Sequence, residues 1–179
     1  MDTQGKEGSF MPIFIVMFIS LLIAFFWNTP FIKDNVHRIL DPSAGALINW
    51  NVTYGFLVLI FIITLITTTA QKYLTDQKTM REMKAEQKKL NEEMKEFKHD
   101  PAKMIELQKK SFEFVGPMMK LSMRPMMFTG VPLILFFRWF MDIFTTLGSP
   151  KFWIFSWFWF YLIMSIVIGS ILRKVLKVV

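Results

Sequence analysis

Long runs almost free of charge, residues 11–27, 52–70, 125–145 and 152–172, alternate with one dense polar stretch from Gln71 to Lys120 and with short mixed connections. An apolar run of about 20 residues crosses a hydrocarbon core of about 30 Å as a helix. The pattern therefore predicts a polytopic membrane protein with one large excursion into water.

The first run, Met11 to Trp27, makes about 25 Å of helix, slightly short of a full crossing. It reads as a retained signal-anchor-like helix, with a cleaved signal or an interfacial or re-entrant segment as alternatives. Asp2, Lys6 and Glu7 precede it with no positive cluster, and the small residues Ser43-Ala44-Gly45-Ala46 lie far beyond it, which argues against cleavage. From Asn28 to Trp50 the residues Phe31, Ile32, Val36, Ile39 and Leu40 recur at helical spacing. They suit a short amphipathic helix on the membrane surface, or equally a polar loop with a hydrophobic tuck. The sequon Asn51-Val52-Thr53 abuts the next span and is discounted as a glycosylation site.

The run Val52 to Ala70 is a second span, closing on Thr64, Thr67, Thr68 and Thr69. These hydroxyls either bond their own helical carbonyls or line a wet cavity. Beyond it, Tyr73, Asp76, Met80, Met83, Gln87, Leu90, Met94 and Phe97 fall on one heptad seam. Without Gly or Pro before Pro101, the span is expected to continue as one helix to His99, its polar portion reaching about 43 Å. His99-Asp100-Pro101 then supplies a turn, an N-cap and a proline at the first helical position. A return helix carrying Met104, Ile105, Leu107, Phe112 and Val115 is expected to end at Gly116-Pro117. The two helices would form an antiparallel coiled-coil hairpin, with a coiled-coil dimer as the rival.

After the hairpin come five methionines in ten residues, Met118, Met119, Met123, Met126 and Met127, interleaved with Lys120, Ser122 and Arg124. Methionine is flexible and polarizable; it suits either a surface that accepts varied apolar partners or an irregular core. The third long run holds Gly130, Pro132, Arg138 and Asp142. An arginine within a span is costly and should face the bundle or the headgroups, with Asp142 at i+4 as its expected partner. The last run begins with Trp153, Trp157 and Trp159, expected as an interfacial belt, and ends at the basic Arg173-Lys174-Val175-Leu176-Lys177.

Composition adds exclusions. The absence of cysteine removes disulfides, iron–sulfur clusters and thiolate chemistry, and His37 and His99 alone do not suggest a metal site. No nucleophile, phosphate loop or cofactor motif appears, so an enzyme is not expected. The net charge of +7 does not call for nucleic acid, because residues 71–116 mix 11 basic with 9 acidic side chains. The basic bias of the hairpin, Lys120, Arg124 and the C-terminal tail instead sets topology, placing hairpin and C-terminus in the cytoplasm. The resulting fold class is an all-α membrane protein: a three-span core bundle with a cytoplasmic hairpin and an N-terminal hydrophobic helix. Its parts are residues 1–50, a first core span at 51–70, the hairpin at 71–116, a Met-rich hinge with the second core span at 117–145, and the third span with its tail at 152–179.

This order of parts resembles the YidC/Oxa/Alb superfamily of membrane-protein insertases, and more closely the archaeal YidC-like proteins and the third subunit of the ER membrane protein complex. The closer likeness rests on Gly116-Pro117-Met118-Met119, Arg124-Pro125-Met126-Met127, and Trp157-Phe158-Trp159-Phe160-Tyr161 with Ser165 and the basic tail. It implies a cofactor-free insertase or chaperone in an archaeal-type plasma membrane. Its clients would be nascent or tail-anchored membrane proteins, alongside lipids and a ribosome or small membrane subunit as partners. The methionines would catch the client. Thr64, Thr67, Thr68, Ser122 and Thr129 would wet a groove, with Lys120 and Arg124 at its mouth and Arg138 a candidate for its positive charge. The first core span departs from the bacterial pattern in carrying threonines and no arginine. A calcium-leak-like channel and a coiled-coil anchor are the alternative functions.

Overall fold

Each of the three longest cap-initiated helices starts where a short polar side chain closes the first turn. Asn51 Oδ1 accepts from the N–H groups of Thr53 and Tyr54 at 3.1 and 2.9 Å and opens α4, Val52–Leu74. Asp76 does the same for Lys78 and Thr79 and opens α5, Gln77–Glu96; Asp100 does so for Ala102 and Lys103 and opens α6, Pro101–Thr146. Such caps satisfy donors that no carbonyl inside the helix can reach. The Thr79 hydroxyl and backbone N–H hold the exposed Asp76 carboxyl below its ordinary range.

The computed structural model describes residues 11–178, with the side chains of Pro12, Ile13, Arg124 and Met127 outside the description. Before α4 lie α1, Met11–Phe25; α2, Pro30–Leu40; a π-turn, Asp41–Gly45; and α3, Ala46–Trp50. After α6 a small antiparallel hairpin pairs β1, Lys151–Phe152, with β2, Phe155–Ser156, and leads into α7, Trp157–Leu176. Helix α4, residues 128–146 of α6, and α7 are each long and apolar enough to cross a membrane. The chain is thus an all-α integral membrane protein.

Side-chain contacts fix the helix directions. Phe56 meets Phe140 near one end of α4, and Thr75 just beyond the other end reaches the Leu121 carbonyl, so α4 and α6 run antiparallel. Phe56 also meets Phe160 and Tyr161, while Thr64 lies 3.5 Å from where a Cβ on Gly169 would stand; α4 and α7 therefore run parallel, close-packed at a small residue. Val16 approaches Gly130 and the Ala24 carbonyl meets Arg138, so α1 lies along α6 in the same direction. At the end away from the hairpin, Phe56, Phe140, Phe144, Phe152 and Tyr161 form a ring-on-ring core. Each such edge or offset contact adds about 0.5–1.5 kcal/mol beyond burial.

Three local expectations need correction. The span does not run unbroken into the hairpin: Thr75 is extended, with φ −100° and ψ 135°, and Asp76 restarts the helix. Helix α6 does not stop at Gly116-Pro117 but continues through Pro117, Pro125 and Pro132. A proline inside a helix removes one N–H and leaves the carbonyl four residues back without its donor. Neighbours in a membrane bundle can replace it. Here the Thr75 hydroxyl lies 3.5 Å from the Leu121 carbonyl, the group that Pro125 leaves open. Trp157 leaves the expected belt for the aromatic core, stacked on Phe144 at 5.7 Å, whereas Trp153 stays exposed. Of the two readings of Asn28–Trp50 the helical one is found, over Pro30–Trp50, bent by 93° against Phe14–Phe25.

Candidate functional site

Where α4 and α6 separate, they leave a small, open, apolar cleft lined by Ile63, Ile66, Thr67, Phe128, Thr129, Pro132, Leu133 and Phe136. Pro132 removes the helical donor of the Phe128 carbonyl, and the lining of the cleft is almost wholly apolar. Of the five hydroxyls considered from sequence, Thr67 and Thr129 line the cleft, and both are already committed within their own helices. Thr67 donates to the carbonyls of Ile63 and Thr64, and Thr129 to that of Pro125. Thr64 and Thr68 are buried away from the cleft and donate to Ile60 and Thr64 at 2.6 and 2.7 Å. Ser122 sits exposed on α6, nearer the hairpin.

The described methionines of α6 differ in exposure. Met119 and Met126 are exposed, on the face that leads into the cleft, while Met118 and Met123 are half-buried. Met127 and Arg124 carry side chains outside the description; Lys120 is half-buried. The inward face of α6 along α5 follows Met104, Leu107, Ser111, Phe114, Met118 and Leu121, all half-buried or buried and spaced alternately three and four apart. On α5 it meets Met80, the best buried residue of that helix. Ile105, Phe112 and Val115, which the sequence suggested as part of the return helix's apolar set, point away from α5 and are exposed. Their exposure was missed because composition alone does not distinguish two apolar stripes on one helix.

At the opposite end of α6 a polar cluster ties the α1–α2 elbow down. Asp142 Oδ2 accepts from Trp27 Nε1 at 3.0 Å, pairs with Lys33 at 3.0 Å and lies 3.3 Å from His37 Nε2. His37 Nδ1 lies 3.1 Å from both Asp41 oxygens, and Asp41 accepts from Trp139 Nε1 at 2.7 Å. The expected Arg138–Asp142 pair is not formed. Arg138 donates instead to the Ala24 carbonyl, among the groups left open at the C-terminal end of α1, where the helix dipole also favours a cation. Its Nε is buried without a partner. Arg138 is therefore placed at the far end of the bundle from Lys120. No group of His, Asp and Glu side chains among the described residues is arranged to hold a metal ion.

Three candidate spans, a helical hairpin and a long helix shared between them make up the bundle, and the family match places the chain in the superfamily that includes YidC, Oxa1 and Alb3. The chain belongs to the family described as integral membrane protein EMC3/TMCO1-like, which matches residues 41–151. Neither the curated proteins nor the solved structures provide a match.

Proposed function

We propose that this protein helps transmembrane segments of client proteins enter the bilayer, working without nucleotide hydrolysis or covalent chemistry. The observation that carries the reading is the uncovered apolar face of α6, where Met119 and Met126 stand exposed and lead directly into the cleft beside α4. Inside a bundle of three spans, an apolar face that ends in an open cleft gives a client helix a route from water to lipid. Unbranched methionine side chains adapt to clients of different shape. The cleft is lined almost wholly by apolar side chains, which suits the apolar face of a client helix whose own backbone groups are already paired.

Family membership supports the insertion role. Positive-inside logic supports a cytoplasmic hairpin and C-terminus, since Lys and Arg dominate Arg173–Lys177 and the connection at 142–151 holds one acid and one base. Clients would be single-span proteins with short translocated tails, and Lys120 and Arg124 would attract acidic flanks to the mouth. Depleting the protein from its membranes is expected to lower insertion of such clients several-fold, and photocrosslinkers at Met119 or Met126 are expected to capture them. Unchanged insertion together with no client adduct at either position would overturn the reading.

A further inference from the structure

We infer that the outer face of α6 beyond the membrane is a docking seam for one preformed apolar α-helix of membrane-spanning length; this rests on the insertion reading above and names the form in which the client is held. Ile105, Phe112, Met119 and Met126 stand seven residues apart, with Val115 between the second and third, and all five are 46 to 73% exposed. A seven-residue repeat matches a helical partner wound at 3.5 residues per turn, although of the intervening positions Gln108, Val115 and Ser122 only Val115 is apolar. Oily residues facing lipid or an extended peptide need no such spacing.

The repeat does not stop at Met126. The next positions, Thr129, Leu133, Phe136 and Phe140, carry the same heptad into the membrane, where they face α4: three line the cleft and Phe140 packs on Phe56 at 5.2 Å. Inside the bilayer this seam of α6 thus faces α4, across the cleft and in contact at Phe140, while outside it the described residues leave the seam exposed. The facing helix is lost because the chain breaks at Thr75-Asp76 and α5 takes the neighbouring face, through Leu107 and its companions. Ile105 to Met126 measures about 32 Å along a helix axis, close to the roughly 30 Å hydrocarbon core that a transmembrane segment is built to cross.

The seam also has a receiving shape. In knobs-into-holes packing a partner side chain enters a hole bounded by residues i, i+3, i+4 and i+7. For Phe112 these are Val115, Gly116 and Met119. A Cβ placed on Gly116 would meet nothing within 4 Å, so the hole is open and enlarged by the missing side chain. A large apolar knob such as Leu or Phe fits this description.

The absence of cysteine from the chain permits a direct test in the full-length protein reconstituted in vesicles. Single variants Phe112→Cys, Met126→Cys and Lys110→Cys, the last on the far side of α6, are oxidised with a purified single-span precursor whose apolar segment carries one cysteine at successive positions. Phe112→Cys is expected to form disulfides at client positions recurring every three to four residues, at least ten-fold above Lys110→Cys. Adducts at Phe112→Cys with no such period would overturn the helical form. Adducts at Met126→Cys but not at Phe112→Cys would overturn the seam while leaving the insertion reading standing. Adducts at neither would count against both. Predominant crosslinking of Phe112→Cys to a second copy of itself would reassign the seam to self-association and overturn the inference.

Discussion

Trp27 donates its indole N–H to the carboxylate of Asp142 at 3.0 Å, joining the end of α1 to the far end of α6 across 115 residues of sequence. The indole itself is buried, and Lys33 and His37 approach the same carboxylate oxygen. Asp142 thus gathers three groups of the elbow at one oxygen, beside the second tie from Asp41 to Trp139.

Replacing Asp142 with Ala leaves the Trp27 N–H without an acceptor and Lys33 without its counter-charge. A buried donor stripped of its partner costs about 1–3 kcal/mol. The expected outcome is a lower thermal unfolding midpoint in detergent and faster proteolysis within residues 26–46. Asp142→Asn, which keeps an acceptor for Trp27 and loses the charge, should fall between the wild type and Asp142→Ala.

Arg138 reaches α1 through a backbone carbonyl, so its loss should act on the seating of that helix and leave the elbow in place. Val16 and Gly130 face each other closely enough for a cysteine pair to report on this. In a Val16→Cys/Gly130→Cys background, Arg138→Gln is expected to slow disulfide formation several-fold. Equal rates with and without the substitution would show that Arg138 does not seat α1.

Two glycines of the membrane core should respond oppositely to alanine. A Cβ on Gly55 would stand 1.9 Å from the Leu47 carbonyl oxygen, a clash with backbone that cannot be relieved by a rotamer change. Gly55→Ala is expected to force α3 off α4 and to destabilise by several kcal/mol, in the upper range of point substitutions. On Gly169 the nearest atom is the Thr64 methyl at 3.5 Å, an ordinary contact. Gly169→Ala should be neutral or mildly stabilising, because alanine favours a helix over glycine by up to about 1 kcal/mol. Unfolding of the two variants in the same detergent provides the comparison.

Much of this architecture can be read from residues 52–179. Uncharged runs of transmembrane length and the Asp100-Pro101 start signal depend only on local sequence, and the structure follows them. The failures are of two physical kinds. Some lie in local signals that compete: the Thr75-Asp76 cap prevails over heptad continuity, and Pro117 does not end a helix that its neighbours support. Others depend on groups distant in sequence. The partner of Arg138 is a backbone carbonyl 114 positions away, and that of Asp142 is the tryptophan that closes the first apolar run, 115 positions away. For the candidate site, the methionines were evident as a cluster, but their differing exposure required the placement of α5.

The three prolines of α6 give that helix a directional compliance. Pro117, Pro125 and Pro132 follow one another at intervals of eight and seven residues, so the missing rungs, at the carbonyls of Glu113, Leu121 and Phe128, recur about every two turns and gather on one side. A rod weakened repeatedly along one side bends more readily in that plane than across it. Helix α6 spans the water-exposed hairpin and the membrane core as one piece, and deflection of its outer half is thereby transmitted to the wall of the cleft at Phe128 and Pro132. A load placed on the hairpin would be felt as a change in width between α4 and α6, with no hinge loop required.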